Sequence, residues 1–129
     1  MSTRQKIIKT DKAPKAIGPY SQAVIEDRFL FTAGQIGILP ETGEIVQGGI
    51  KAQTKQALEN LKAVLQAGGT DLQDVIKTTV YLTKAEDFSL MNEVYGEYFL
   101  TEPPARTTIF VVGLPKGALV EIDAIASLK

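Results

Sequence analysis

The segment IKAQTKQALENLKAVLQAGGTDLQDVIKTTVYL, residues 50–82, decides the fold class because its apolar spacing changes midway. In its first half Ile50, Thr54, Ala57, Leu58, Leu61, Val64 and Leu65 recur at helical intervals, while Lys51, Lys55, Glu59, Lys62 and Gln66 fall largely elsewhere. That spacing predicts an amphipathic helix. It should end at Gly68-Gly69, where a glycine can take the left-handed conformation that satisfies the last helical carbonyls. From Val75 to Leu82 the residues turn β-branched and the period becomes two, with Ile76, Thr78, Val80 and Leu82 on one face. This predicts a central strand.

Working outward, Thr83 and Glu86 have capping-box spacing, and Phe88, Met91, Val94, Tyr95, Tyr98 and Phe99 form the buried stripe of a second helix. Beyond it, Arg106 to Val112 and Leu119 to Ser127 read as strands joined by a turn through Gly113 to Gly117, making a hairpin. On the other side, Lys6 to Lys9 reads as a first strand, and Ser21 to Ile25 with Phe29 to Gln35 as a hairpin around Glu26-Asp27-Arg28. Pro40 to Gly43 has turn chemistry, and Ile45-Val46 suits a short extended piece. The expected class is α+β, with both helices packed on one face of a mostly antiparallel mixed sheet. Segments such as Ile109 to Val112 and Ile122 to Ile125 are apolar on both faces, which predicts a symmetric homo-oligomer covering the other side.

The chain has 129 residues, the size of one domain spanning 1–129. Hydrophobic residues make up 44% and charged residues 22%, which excludes disorder and fibrous repeats. A net charge of -1 argues against a partner such as nucleic acid or an acidic membrane surface. No apolar run is long enough to span a bilayer, so the chain is expected to be soluble. Its basic first residues lack the length and amphipathic face of a transit segment, and a cytoplasmic location is expected. With no Cys and no His, thiolate nucleophiles, Ser-His-Asp catalysis and Cys- or His-ligated metals are excluded. Chemistry here must use carboxylates, Arg, Lys, Tyr, hydroxyls, backbone groups and water.

Few residues look out of place for folding alone. Arg106 opens a strand behind Pro103-Pro104 and is either a bidentate clamp for a carboxylate or an edge arginine in a salt bridge. Glu121 interrupts an apolar strand and either faces solvent or is partly buried, where it could orient a water. Tyr20 follows the kinked loop Ile17-Gly18-Pro19, and Asn92 sits beside Met91 on the second helix. Ala33-Gly34-Gln35-Ile36-Gly37 lacks dinucleotide-binding spacing, so Gly34 is expected to let a ligand or a neighbouring chain approach closely. On the hairpin reading, Arg106 lies at the open end and Glu121 near the turn, roughly 16 Å apart at ~3.3 Å per residue. One small acid would then be gripped by both only across two chains.

The runs AIGPYSQA (16–23), AGQIG (33–37), TGEIV (42–46), DVIKTTVYL (74–82), MNEVY (91–95), PPAR (103–106) and LPKGALVEIDAIA (114–126) resemble the RidA/YjgF family of reactive intermediate deaminases. The resemblance implies a chorismate-mutase-like fold assembled as a homotrimer around a central β-barrel, with active sites between subunits. It implies hydrolysis, without a cofactor or metal, of 2-imino acids such as 2-iminobutanoate and 2-iminopropanoate, released by pyridoxal-phosphate enzymes, to 2-oxo acids and ammonia. The family's carboxylate-binding arginine falls on Arg106, its water-associated glutamate on Glu121, its pocket tyrosine on Tyr20 and its pocket asparagine on Asn92. Two substrate-binding positions depart from the best-known bacterial pattern, a serine becoming Ala33 beside Gly34 and a cysteine becoming Thr108, and the loop before Arg106 is short. These bear on substrate range and leave water as the nucleophile. Alternatives in other classes are a 2-oxo-acid sensor without turnover and an RNA-cleaving, translation-inhibiting or chaperone-like member of the family.

Overall fold

The helical period becomes α1, Gly49–Ala67, in the computed structural model, which describes residues 6–128. Leu58, Leu61, Val64 and Leu65 on its apolar face are fully buried, each worth roughly 1.5–3 kcal/mol. Gly69, at φ +90°, takes the left-handed conformation that ends the helix. The same buried face also carries two amides. The Gln53 side chain accepts the Leu119 N–H at 2.8 Å, and Asn60 donates to the carbonyls of Ile36 and Ile38 at 3.1 and 2.8 Å. These bonds tie the helix to the strand β4 (Gln35–Ile36) and to the approach of β7 (Val120–Ser127).

The remaining elements are β1 (Lys6–Ile8), β2 (Ala23–Glu26), β3 (Phe29–Thr32), β5 (Val75–Leu82), α2 (Phe88–Tyr98) and β6 (Ala105–Phe110). The sheet runs β1-β2-β3-β7-β5-β6 with β4 also paired to β7, and every pairing is antiparallel except β5 with β6. The expected α+β arrangement of two helices on a mixed sheet is therefore present, and the β2–β3 hairpin turns where expected, with Asp27 at φ 57°. Among the described residues no helix is long and apolar enough to cross a membrane.

Four expectations are corrected. The last two strands form no hairpin: β5 lies between β6 and β7, so Arg106 pairs with Thr78 while Glu121 pairs with Tyr81. The apolar pattern of the two strands fixed their existence, but α2 sends the chain back as a parallel crossover before β6. Ile76 does not share the buried face of Thr78, Val80 and Leu82, because a register shift between Val75 and Lys77 turns it outward. No capping box forms: a 3-10 turn over Ala85–Asp87 precedes α2, and neither helical start has a side-chain cap. Phe88, expected in the buried stripe, is exposed and packs near Phe110.

The face away from the helices is uncovered and carries a group of exposed apolar side chains. Register places Ile7, Phe29, Phe31 and Ile109 on it, at 55%, 39%, 43% and 40% exposure. Beneath the opposite end, buried Gln22 organises the loop that precedes β2. Its side-chain nitrogen donates to the carbonyls of Thr10 (3.1 Å) and Pro14 (2.7 Å), and its oxygen accepts the Thr10 N–H at 2.7 Å. Gln22→Ala should therefore cost about 2–4 kcal/mol in denaturant midpoint, since it orphans several backbone groups at once. A loss below ~1 kcal/mol would mean that water replaces the side chain.

Candidate active site

Alternation along β7 buries Val120, Ile122, Ala124 and Ala126 under the helices and turns Glu121 and Asp123 to the open face. Opposite them the strand that began as β3 breaks after Thr32 and resumes as β4 at Gln35. The Thr32 hydroxyl fills the gap in the ladder by accepting the Ala124 N–H at 2.9 Å. Ala33 is drawn toward β2 by its N–H bond to the Gln22 carbonyl at 2.8 Å, and Gly34 lies directly against the Glu121 side chain. A methyl group on Gly34 would stand 2.7 Å from Glu121 Cδ and 2.9 Å from Cγ. In place of the ligand or neighbouring chain expected at this glycine, the group found against it is a carboxylate of the same chain.

Tyr20 stands across this cleft, about 320 Å³ in volume, which Gly34, Gln35, Pro115, Lys116 and Glu121 also line. Tyr20 is 54% exposed and its hydroxyl accepts the Ile17 N–H at 3.4 Å, so the loop fixes the phenol without burying the residue. Burial, reinforced by the negative charge of Asp123, raises the pKa of Glu121 above the ordinary carboxylate value. Asp123 is itself held by the Tyr81 hydroxyl, which donates to it at 3.0 Å.

Arg106 occupies a second cleft, of about 460 Å³, together with Asn92, Tyr95, Pro103 and Pro104. As the register partner of Thr78 it points to the helix side, where its guanidinium carbon lies 4.8 Å from the Tyr95 ring centre and 5.7 Å from that of Phe88. It does stand on an edge strand, but not in a salt bridge: among the described residues the ion pair found is Lys51 with Glu93 at 3.3 Å. Thr108 follows on the same side of β6, half-buried, and like Ala33 it lines neither cleft.

Five of the seven expected site residues are therefore gathered, but into two groups: Tyr20, Gly34 and Glu121 in one cleft, Asn92 and Arg106 in the other. Through β5, Arg106 and Glu121 are separated by two strand spacings and three residues of ladder, about 14 Å at ~4.8 and ~3.3 Å per step. They also face opposite sides of the sheet. The separation anticipated from a hairpin is reached through a different pairing. Sequence reading did not single out Asp123, nor Tyr95 and Phe88, whose helical spacing marked them only as apolar stripe.

The family model described as Endoribonuclease L-PSP matches residues 10–128. A RutC family protein of Pyrococcus horikoshii is 59% identical over 122 residues, 95% of this chain and 97% of that protein. This chain belongs to the RidA/YjgF family. Among its RidA/YjgF relatives, the 2-iminobutanoate/2-iminopropanoate deaminase of Homo sapiens is 48% identical, with 95% of this chain and 89% of that protein aligned. The crystal structure of RidA from an Antarctic Psychrobacter superposes with a TM-score of 0.92 at 45% identity, covering 95% of this chain and 99% of that one.

Proposed function

We propose that this protein hydrolyses 2-imino acids such as 2-iminobutanoate and 2-iminopropanoate to 2-oxo acids and ammonia, in a cleft completed by neighbouring copies in a homotrimer. The observation that carries this reading is the split site: an arginine with no acidic partner among the described residues on one sheet face, and a half-buried carboxylate on the other. The uncovered apolar face supplies the drive to assemble, as the barrel of a trimer would use it. The name borne by relatives at about half identity supports the substrate class.

In this reading Arg106 of one subunit pairs its planar fork with the substrate carboxylate, fixing the adjacent C=N carbon. Glu121 of the next takes a proton from water as the oxygen attacks that carbon, and the C=N π electrons move to nitrogen. The protonated Glu121 returns its proton to the amine, then removes the hydroxyl proton as the C–N bond breaks and the carbonyl forms. Ammonia departs and takes that proton from Glu121, which restores the carboxylate, so one iminium and one water become one oxo acid and one ammonium. A base of this kind contributes about 10²–10⁴-fold, enough for an imine that already hydrolyses in water. Asn92 and Tyr20 bound the pocket with Gly34, while Ala33 and Thr108, small side chains that line neither cleft of the single chain, are assigned to the substrate site of the assembled protein. The substrates suit release by pyridoxal-phosphate enzymes in the cytoplasm.

Imine decay in a coupled amino-acid oxidase assay tests the activity. Accelerated decay supports it, whereas 2-oxo-acid binding without turnover would make the protein a sensor. RNA left intact by ribonuclease-free protein would dispose of the activity named in the family description. The acid limb of kcat/KM should lie above the ordinary carboxylate range, because Glu121 must be ionised and its pKa is raised. Asp123→Asn should move that limb toward acid; an unmoved limb would assign it to another group. The same raised pKa makes Glu121's contribution to stability full below the unfolded carboxylate value and lost as pH rises through the folded one.

A further inference from the structure

We infer that Tyr95, locked by Thr78, is the positioning residue that holds Arg106 ready for a carboxylate without consuming its hydrogen-bond donors; this rests on the carboxylate-clamp reading of Arg106. A guanidinium can be fixed in two ways. A carboxylate would fix it through its N–H groups, the donors the substrate needs. An aromatic face fixes it from above the plane and leaves the in-plane N–H groups free. Arg106 is held in the second way, with Tyr95 at 4.8 Å and Phe88 at 5.7 Å, and it makes no hydrogen bond or ion pair among the described residues.

The two rings are not equivalent. Phe88 is exposed, whereas Tyr95 is 5% exposed and cannot swing. Its ring rests on Phe99, 4.7 Å between centres, and its hydroxyl shares a 2.7 Å hydrogen bond with the fully buried Thr78 hydroxyl. Thr78 is also the residue paired with Arg106 in the parallel ladder. The arginine, its strand partner, the phenol and the ring face thus close a circuit: the pairing that sets the height of Arg106 also sets the height of its platform. A shift of either strand would move both together, which is the property a preorganised anion clamp requires.

The test uses the full-length protein in its native assembly. Tyr95→Leu removes the ring face and should raise KM for 2-iminobutanoate, and Kd for 2-oxobutanoate, by about 3–30-fold with kcat within about twofold, as expected for lost ground-state positioning. Tyr95→Phe keeps the face and should restore most of the loss, while Thr78→Val, which frees the phenol, should fall between. In NMR spectra the Arg106 δ protons should show a ring-current upfield shift that Tyr95→Leu abolishes and Tyr95→Phe retains, an effect that loosened packing elsewhere would not produce. Unchanged KM and Kd in Tyr95→Leu would overturn the platform, as would an unshifted Arg106 in the wild type should that variant not fold. Arg106→Ala is the control: if it abolishes binding while Tyr95→Leu does not, only the platform fails. Arg106→Ala binding normally would sink the clamp reading itself.

Discussion

On the proposed shared site of a homotrimer, Arg106→Ala and Glu121→Ala are each expected to be inactive, and refolding the two chains together in equal amounts should restore about a quarter of wild-type turnover. The reason is geometric. The two side chains face opposite sides of one sheet, two strands apart, so no rotamer change brings both onto one small acid within a chain. If each site takes its arginine from one subunit and its carboxylate from the next, random mixing gives each site a half chance of either intact partner. The product is about one site in four. A site wholly within one chain would recover nothing, since every chain in the mixture lacks one group. Zero recovery from a properly assembled mixed trimer would therefore end the shared-site reading, and full activity of Arg106→Ala alone would remove the arginine from the mechanism.

Gly34→Ala is expected to lower kcat/KM by about 10²–10⁴-fold, as much as Glu121→Gln, while leaving the melting temperature close to wild type. Gly34 is not in the left-handed region, so alanine fits its backbone; what alanine lacks is room. The added methyl would meet Glu121 Cδ at 2.7 Å and Cγ at 2.9 Å, well inside van der Waals contact. The obstructing atoms are the end of a flexible side chain on the open face, so the carboxylate rotates away cheaply and the fold survives. Combining Gly34→Ala with Glu121→Gln should cost no more than either alone, because both remove the same positioned carboxylate. Additive losses would show that Gly34 serves the substrate directly.

The elements were legible where a single periodicity dominated. The face of α1 followed from the spacing of Ile50 through Leu65, and the β2–β3 hairpin from its polar turn. What sequence patterning could not supply was pairing. Arg106 to Val112 and Leu119 to Ser127 are strand-like in either arrangement, and only the packing of α2 across the sheet places β5 between them. The site followed the same division. Arg106 and Glu121 stood out as charges in apolar strands, whereas Tyr95 and Phe88 were hidden by their own hydrophobicity. An aromatic ring that holds a guanidinium has the same spacing as one that fills a core. Ile76 turned outward because one extra residue in a strand flips the face, and no residue type in that run announces it.

The parallel pairing of β5 with β6 separates the two halves of the site in the order they can form. Everything that holds Arg106 lies in one continuous β5–α2–β6 stretch, whose contacts close short loops. The Glu121 half needs a chain break near the beginning of the sequence brought against a strand at its end, a far longer closure. Arg106 and the rings that hold it therefore belong to a unit that can assemble locally, and the seat of the Glu121 side chain to the docking of β3 and β4 onto β7.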